Sequence, residues 1–187
     1  MATKLARKEI VLRSGAAAGA DSAFESGCDF ANGPKEIYLP WEGCHGRTME
    51  ECGIYELTSF SPGVRNRAEK IAAEIHPAWG NCGVQARAMH ARNICQVLGA
   101  DLLTPTMFVI CWTPDGKATG GTRTAIILAR SYKIPVFNLG SHDWTLEKIV
   151  RRVLKRRCPH CLQYLACYCC PECGQLVTEH DPDCEYA

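Results

Sequence analysis

The sequence predicts an α/β fold built on an open parallel sheet, and three observations carry that reading. Short apolar runs alternate with longer segments of helical periodicity, as strands alternate with crossover helices. Two of the runs lead into glycine-bearing turns, the first directly into Ser14-Gly15-Ala16-Ala17-Ala18-Gly19-Ala20-Asp21 and the second through a short loop into Thr119-Gly120-Gly121-Thr122-Arg123-Thr124. No apolar run approaches ~18 residues, so the 47% apolar content belongs to a core and not to a membrane span.

In chain order, Ile10–Arg13 reads as the first strand and Asp21–Ser26 as a helix with its end marked by Gly27. Glu36–Pro40 is a second strand closed by its proline. Residues 42–64, rich in Gly, Cys, Ser and Pro, read as loop. A helix follows over Val64–Ile75 and stops before His76-Pro77, because the residue before proline avoids the α region. Ala86–Leu98 is a further helix stopped by Gly99. Met107–Trp112 and Ile134–Phe137 are short runs of the type buried in parallel sheets, with the helix Thr122–Tyr132 between them.

Asp143 is the expected cap of a last helix, Thr145–Arg157. Leu146, Ile149, Val150, Val153 and Leu154 share one face of it. Lys148, Arg151, Arg152, Lys155 and Arg156 share the other, as either a solvated outer face or a nucleic-acid contact.

The glycine turns carry the chemistry. A helix start exposes unpaired N–H groups and the positive end of the dipole, and glycine lets an anion approach closely. Both turns follow strands of one parallel sheet, so both face the same edge and point to a nucleotide-like ligand. Candidate ligand-binding residues are Arg13, Ser14, Gly15, Gly19 and Asp21 at the first turn, and Gly120, Gly121, Thr122 and Thr124 at the second. Arg92 and Asn93 add a guanidinium and an amide, and Trp41 and Trp112 stand at strand ends where they could stack on a base. His45, His76 and His90 lie scattered. There is no P-loop, nucleophile elbow or H-E-x-x-H.

Charge and cysteine are unevenly spread. Residues 1–157 hold all 21 Lys and Arg against 15 acids, whereas 158–187 hold five acids and no base. Seven of the thirteen cysteines fall between Cys158 and Cys184. Cys158-Pro-His-Cys161 and Cys170-Pro-Glu-Cys173 are two C-x2-C knuckles, the pairwise arrangement in which a tetrahedral Zn²⁺ takes four thiolates. Cys167, Cys169, His180 and Cys184 are left for a second site or for exchange into the first. The expected organisation is a ligand-binding domain over 1–157 with a zinc-ribbon tail over 158–187. The other six cysteines (Cys28, Cys44, Cys52, Cys82, Cys95, Cys111) read as ordinary buried thiols. Met1–Lys8 carries no apolar signal core, so a cytoplasmic location is expected.

Ser14-Gly15-x-Ala17-x-Gly19-x-Asp21 resembles the S-G-x-A-x-G-x-D signature of the DNA-processing protein A family. Gly121-Thr122-x-Thr124-Ala125 followed by Ile134–Phe137 resembles that family's second glycine turn and next strand. Both belong to the SLOG superfamily, together with the lonely-guy phosphoribohydrolases. The likeness is closer still to phage-encoded members, which share Arg13-Ser14-Gly15, Lys35–Trp41, His90-Ala91-Arg92-Asn93 with Gln96–Gly99, and Cys111-Trp112-Thr113 before Gly120. It covers roughly residues 8–140. It implies a Rossmann-like fold and a nucleotide, nucleotide-derived or DNA ligand.

Two departures follow. The family's sheet opens with an N-terminal strand that lies between the strands before Gly15 and Gly120, and this sequence does not contain it. Either the chain is a shortened form, or another segment or a second subunit fills the gap. The lonely-guy glutamate after the second turn is also missing, since Arg123–Ala129 offers no acid. Glycosidic hydrolysis needs a carboxylate, for which only Asp21 and Glu25 are at hand. The expected function is therefore sensing or sequestering a nucleotide-derived small molecule. Single-stranded DNA binding is the alternative, and N-glycosidic hydrolysis comes third.

Overall fold

The computed structural model describes residues 1–154. The expected zinc ligands Cys158, Cys161, Cys170 and Cys173, and the second set Cys167, Cys169, His180 and Cys184, lie outside the described residues. Elements run α1 (Ala2–Ala6), β1 (Leu12–Ser14), α2 (Ala20–Asp29), β2 (Lys35–Leu39), β3 (Ile54–Glu56), α3 (Pro62–Ile75), α4 (Val84–Leu98), β4 (Val109–Cys111), α5 (Thr122–Ser131), β5 (Val136–Asn138) and α6 (Leu146–Leu154). The chain is thus mixed α/β with small parallel sheets and flanking helices. Among the described residues no helix is long and apolar enough to cross a membrane.

The alternation of side chains along each strand sets the layers. Val109 and Val136 face a core built by α3, α4 and α5, centred on Ile94, Leu98, Leu128 and Ala129. Their neighbours Ile110 and Phe137 face the opposite way, onto Leu5 of α1, Phe24 of α2 and Ile149 and Val153 of α6. On β2, Tyr38 joins the first core, while Ile37 and Leu39 pack with Cys44 and Ile54 in a third cluster.

Several boundaries differ from expectation for identifiable reasons. Helix α2 runs through Gly27 to Asp29, because that glycine serves packing and not termination. A Cβ there would stand 2.7 Å from the Cβ of Ala2 on α1. Helix α3 begins two residues early, with Pro62 at its first position and Ser61 Oγ accepting the Val64 N–H. The cap of α6 is Thr145, whose Oγ1 accepts the Lys148 N–H at 3.2 Å, and not Asp143. The stretch read as loop contains β3, a three-residue strand too short to show a period of two.

Strands β1, β2 and β3 form one parallel sheet, in registers Leu12↔Lys35 and Ile37↔Ile54. Strands β4 and β5 form a second, in register Val109↔Val136. The single sheet expected from sequence is therefore divided. Leu12 N–H donates to Pro34 O, and Val109 N–H to Pro135 O. Alternate residues of a parallel ladder point to alternate sides, so Arg13 on β1 and Ile110 on β4 turn their backbone groups outward from those ladders. A cavity of about 580 Å³ lies against both strands.

Glu56, at the end of β3, is 4% exposed, and its Oε1 has no partner. Burial, and secondarily the charge of Glu42, pushes its carboxyl above the usual carboxylate range. A raised value in the fold favours the protonated form. The stability it contributes is full below the unfolded value and is lost as pH rises through the folded one. Glu56→Gln is expected to raise Tm by a few degrees near about pH 7, with the gain shrinking towards about pH 4. Thermal melts of both proteins across that range check it.

Candidate functional site

The cavity beside β1 and β4 gathers most of the residues singled out from sequence. Arg13, Ser14 and Asp21 from the first turn, Arg92 and Asn93 from α4, and Gly121 and Thr122 from the second turn all line it. Gly15, Gly19, Gly120, Thr124 and Trp112 do not, and Trp112 is largely exposed. Trp41 packs beside the Ile37 cluster. Thr124 is buried, with its Oγ1 2.8 Å from His90 Nδ1.

The first turn satisfies much of its own backbone. Asp21 Oδ2 accepts the N–H of Gly15 at 3.1 Å and of Ala17 at 3.3 Å, and Ser14 Oγ accepts that of Ala16. Asp21 therefore plays the anion to its own turn, and its other oxygen has no partner among these bonds. Ser14 Oγ donates in turn to Glu25, which also takes an ion pair from Arg47 Nη1 at 2.9 Å. The two acids offered for catalysis thus differ in setting. Asp21 faces the cavity, whereas Glu25 is buried in a Ser14–Glu25–Arg47 network off its walls.

Arg13 is also committed. Its Nε donates to Glu36 Oε2 at 2.7 Å and its Nη1 to Thr104 O at 2.6 Å. It ties β1 to β2 and to the loop after α4.

Arg92 is the exception. It is 5% exposed, and among the described residues no carboxylate lies within ion-pair distance. Nη1 donates to Gln96 Oε1 at 2.9 Å, Nη2 reaches only the Met89 sulfur at 3.7 Å, and Nε has no partner. Burial pulls the guanidinium's affinity for its proton down, opposed by the more distant charge of Asp21. The head lies directly on Gly15, where a Cβ would fall 1.2 Å from Nη1. Gly15 is therefore required by a side chain of the protein itself. The adjacent Asn93 donates from Nδ2 to Gly121 O at 3.0 Å and fixes the second turn. Helix α5 starts there with no side-chain cap. One turn of α4 thereby spans both glycine loops.

Sequence reading passed over two features. Ala86, Met89, His90, Asn93, Gln96 and Val97 form one helical face towards the cavity, and their polar members on a buried face were the available signal. Of the three histidines expected to be scattered, His76 and His90 are brought together. The His76 and His90 rings lie 4.4 Å apart, and Cys82, half-buried, brings its sulfur within 3.7 Å of His76 Nδ1. The ligand atoms of the three residues lie within 4.8 Å of one another, a cluster that could hold a metal ion. Burial, and then the neighbouring His76 and Arg92, lowers the His90 pKa. Cys52 is exposed, and so is not the buried thiol expected either.

Compared with family models, with curated proteins and with solved structures, the chain matches none.

Proposed function

We propose that this chain is a Rossmann-like binder of a nucleotide or nucleotide-derived small molecule, held in the cavity between the Gly15 and Gly121 turns. The observation that carries the reading is Arg92, a guanidinium 5% exposed at the cavity wall, with no ion-paired carboxylate and no partner for its Nε among the described residues. A buried unpaired charge is costly, and an anion with oxygens in the plane of the fork relieves that cost through charge-assisted bonds. The uncapped start of α5 adds a second anion-favouring element. Asp21, with one oxygen uncommitted, suits sugar hydroxyls. The tail knuckles are proposed to bind structural Zn²⁺. The six described cysteines, all free, suit a cytoplasmic setting.

The test is native mass spectrometry of the purified full chain, followed by thermal shift and calorimetric titration with nucleoside mono-, di- and triphosphates. A saturable shift is expected. Arg92→Met should weaken binding roughly 10- to 100-fold, the worth of hydrogen bonds to a charged group. It should leave the ligand-free protein as stable or more so, because a hydrophobe replaces an uncompensated charge. An arginine with a purely structural role would show the reverse, with lost stability and unchanged affinity. Absence of any shift, together with single-stranded DNA binding that falls steeply with salt and ignores Arg92→Met, would favour the DNA reading.

A further inference from the structure

We propose that His76, Cys82 and His90 form a zinc site, with two imidazole nitrogens and one thiolate as ligands and the fourth position left to water or a bound molecule. Its three ligands all lie among the described residues, and it does not depend on the nucleotide reading.

The fold brings these residues together across a hairpin. His76 ends α3 in an extended conformation, forced by Pro77. A single 3-10 turn, Trp79–Asn81, follows, and Cys82 is its C-cap. Helix α4 then returns along α3 and places His90 opposite His76. The Cys82 sulfur is 3.7 Å from His76 Nδ1 and 4.0 Å from its Nε2. A tetrahedral zinc with Zn–N ~2.0–2.1 Å and Zn–S ~2.3 Å sets its donors roughly 3.3–3.6 Å apart. Donors already within 4.8 Å reach that spacing by small side-chain rotations. The Ala78 N–H contact to His76 Nδ1, 3.3 Å long, is the one that a metal replaces.

The donor chemistry selects the ion. A mixed imidazole and thiolate set suits zinc, and hard cations such as magnesium and calcium prefer oxygen. His90 has the outer-sphere partner that metal-bound histidines usually carry. Its Nδ1 faces Thr124 Oγ1 at 2.8 Å, which leaves Nε2 for the metal. Thr124 belongs to the first turn of α5, and His90 also lines the large cavity. Zinc would therefore pin the α3–α4 hairpin to the helix that follows the second glycine turn.

Two experiments on the full chain test this, and neither needs the tail to be removed. In the first, zinc per chain is counted by native mass spectrometry for the parent and for Cys82→Ser, His76→Gln and His90→Gln. Each variant is expected to lose one equivalent and keep whatever the tail binds. An unchanged count in all three overturns the proposal. The second uses the unsubstituted protein and iodoacetamide, with peptide mapping. Because a metal-bound thiolate is a poor nucleophile, zinc is expected to slow Cys82 alkylation at least about tenfold, reversibly on chelation. Exposed Cys52 should react at the same rate throughout. Equal Cys82 alkylation with and without zinc would show the cluster to be an aromatic and thiol packing site only.

Discussion

Gly140→Ala is expected to lower Tm by roughly 6–12 °C, or to prevent folding, although Gly140 lies in neither glycine turn. A Cβ at this position would stand 1.8 Å from the Thr113 carbonyl oxygen and 2.9 Å from its carbon. Both are backbone atoms, so no rotamer change relieves the clash. The segments leaving β4 and β5 are also locked together here. Asn138 Oδ1 accepts the N–H groups of Thr113 and Gly140, each at 3.1 Å, and Asn138 Nδ2 donates to Thr113 Oγ1 at 2.6 Å. Thr113 Oγ1 donates onward to Lys117 O. Separating the two segments by one methyl group strips this buried network, at a cost of about 3 kcal/mol or more. For a chain of this size each kcal/mol moves Tm by about 2–4 °C. Gly120→Ala is the control. Its φ is +60°, but nothing lies within 4 Å of the added carbon, so it should cost only about 1 kcal/mol of backbone strain. Chemical denaturation of the two variants should rank them far apart, and equal losses would refute the steric account.

Glu25→Ala is expected to cost about 2–4 kcal/mol and to perturb the first glycine turn, although Glu25 itself does not line the cavity. The carboxylate receives the Ser14 hydroxyl on one oxygen and Arg47 on the other, and Arg47 also pairs with Glu51 at 2.7 Å. Its removal leaves Ser14, 1% exposed, without that acceptor and weakens the tether of the 43–51 loop. Urea unfolding measures the loss, which Glu25→Gln should largely restore because the amide oxygen still accepts a hydrogen bond. This matters for the hydrolase reading. Any base-releasing activity lost in Glu25→Ala would reflect a displaced turn, whereas Asp21→Asn keeps an acceptor for the Gly15 and Ala17 N–H groups and isolates the charge. If Glu25→Ala proves as stable as the parent, the network is not structural and Glu25 returns as a candidate acid.

The sequence legible from local pattern was considerable. Helices α3, α4 and α5 appeared within two residues at either end, because apolar periodicity and caps are encoded within a turn or two of chain. Arg92 and Asn93 were recognised as a pair beside the glycine turns. Strand β3 was not legible, because three residues in a Gly- and Cys-rich stretch become a strand only by pairing with β2. Nor was α1, which exists by packing on α2 through Gly27.

By itself, then, the sequence determined the α/β alternation, the two glycine turns and the amphipathic last helix, all of them properties of residues near one another along the chain. The tertiary structure decided how the strands pair, as two small parallel sheets with a cavity of about 580 Å³ against β1 and β4. It also decided that Arg13 and Glu25 are spent in ion pairs, while among the described residues Arg92 has only the neutral partners Gln96 and Met89 and an unpartnered Nε. His76, Cys82 and His90 meet only because α4 folds back along α3. The physical reason is common to all of these. Hydrogen bonding within a turn is fixed by spacing along the chain, but whether a charge is paired or an edge is filled depends on which distant segment packs against it.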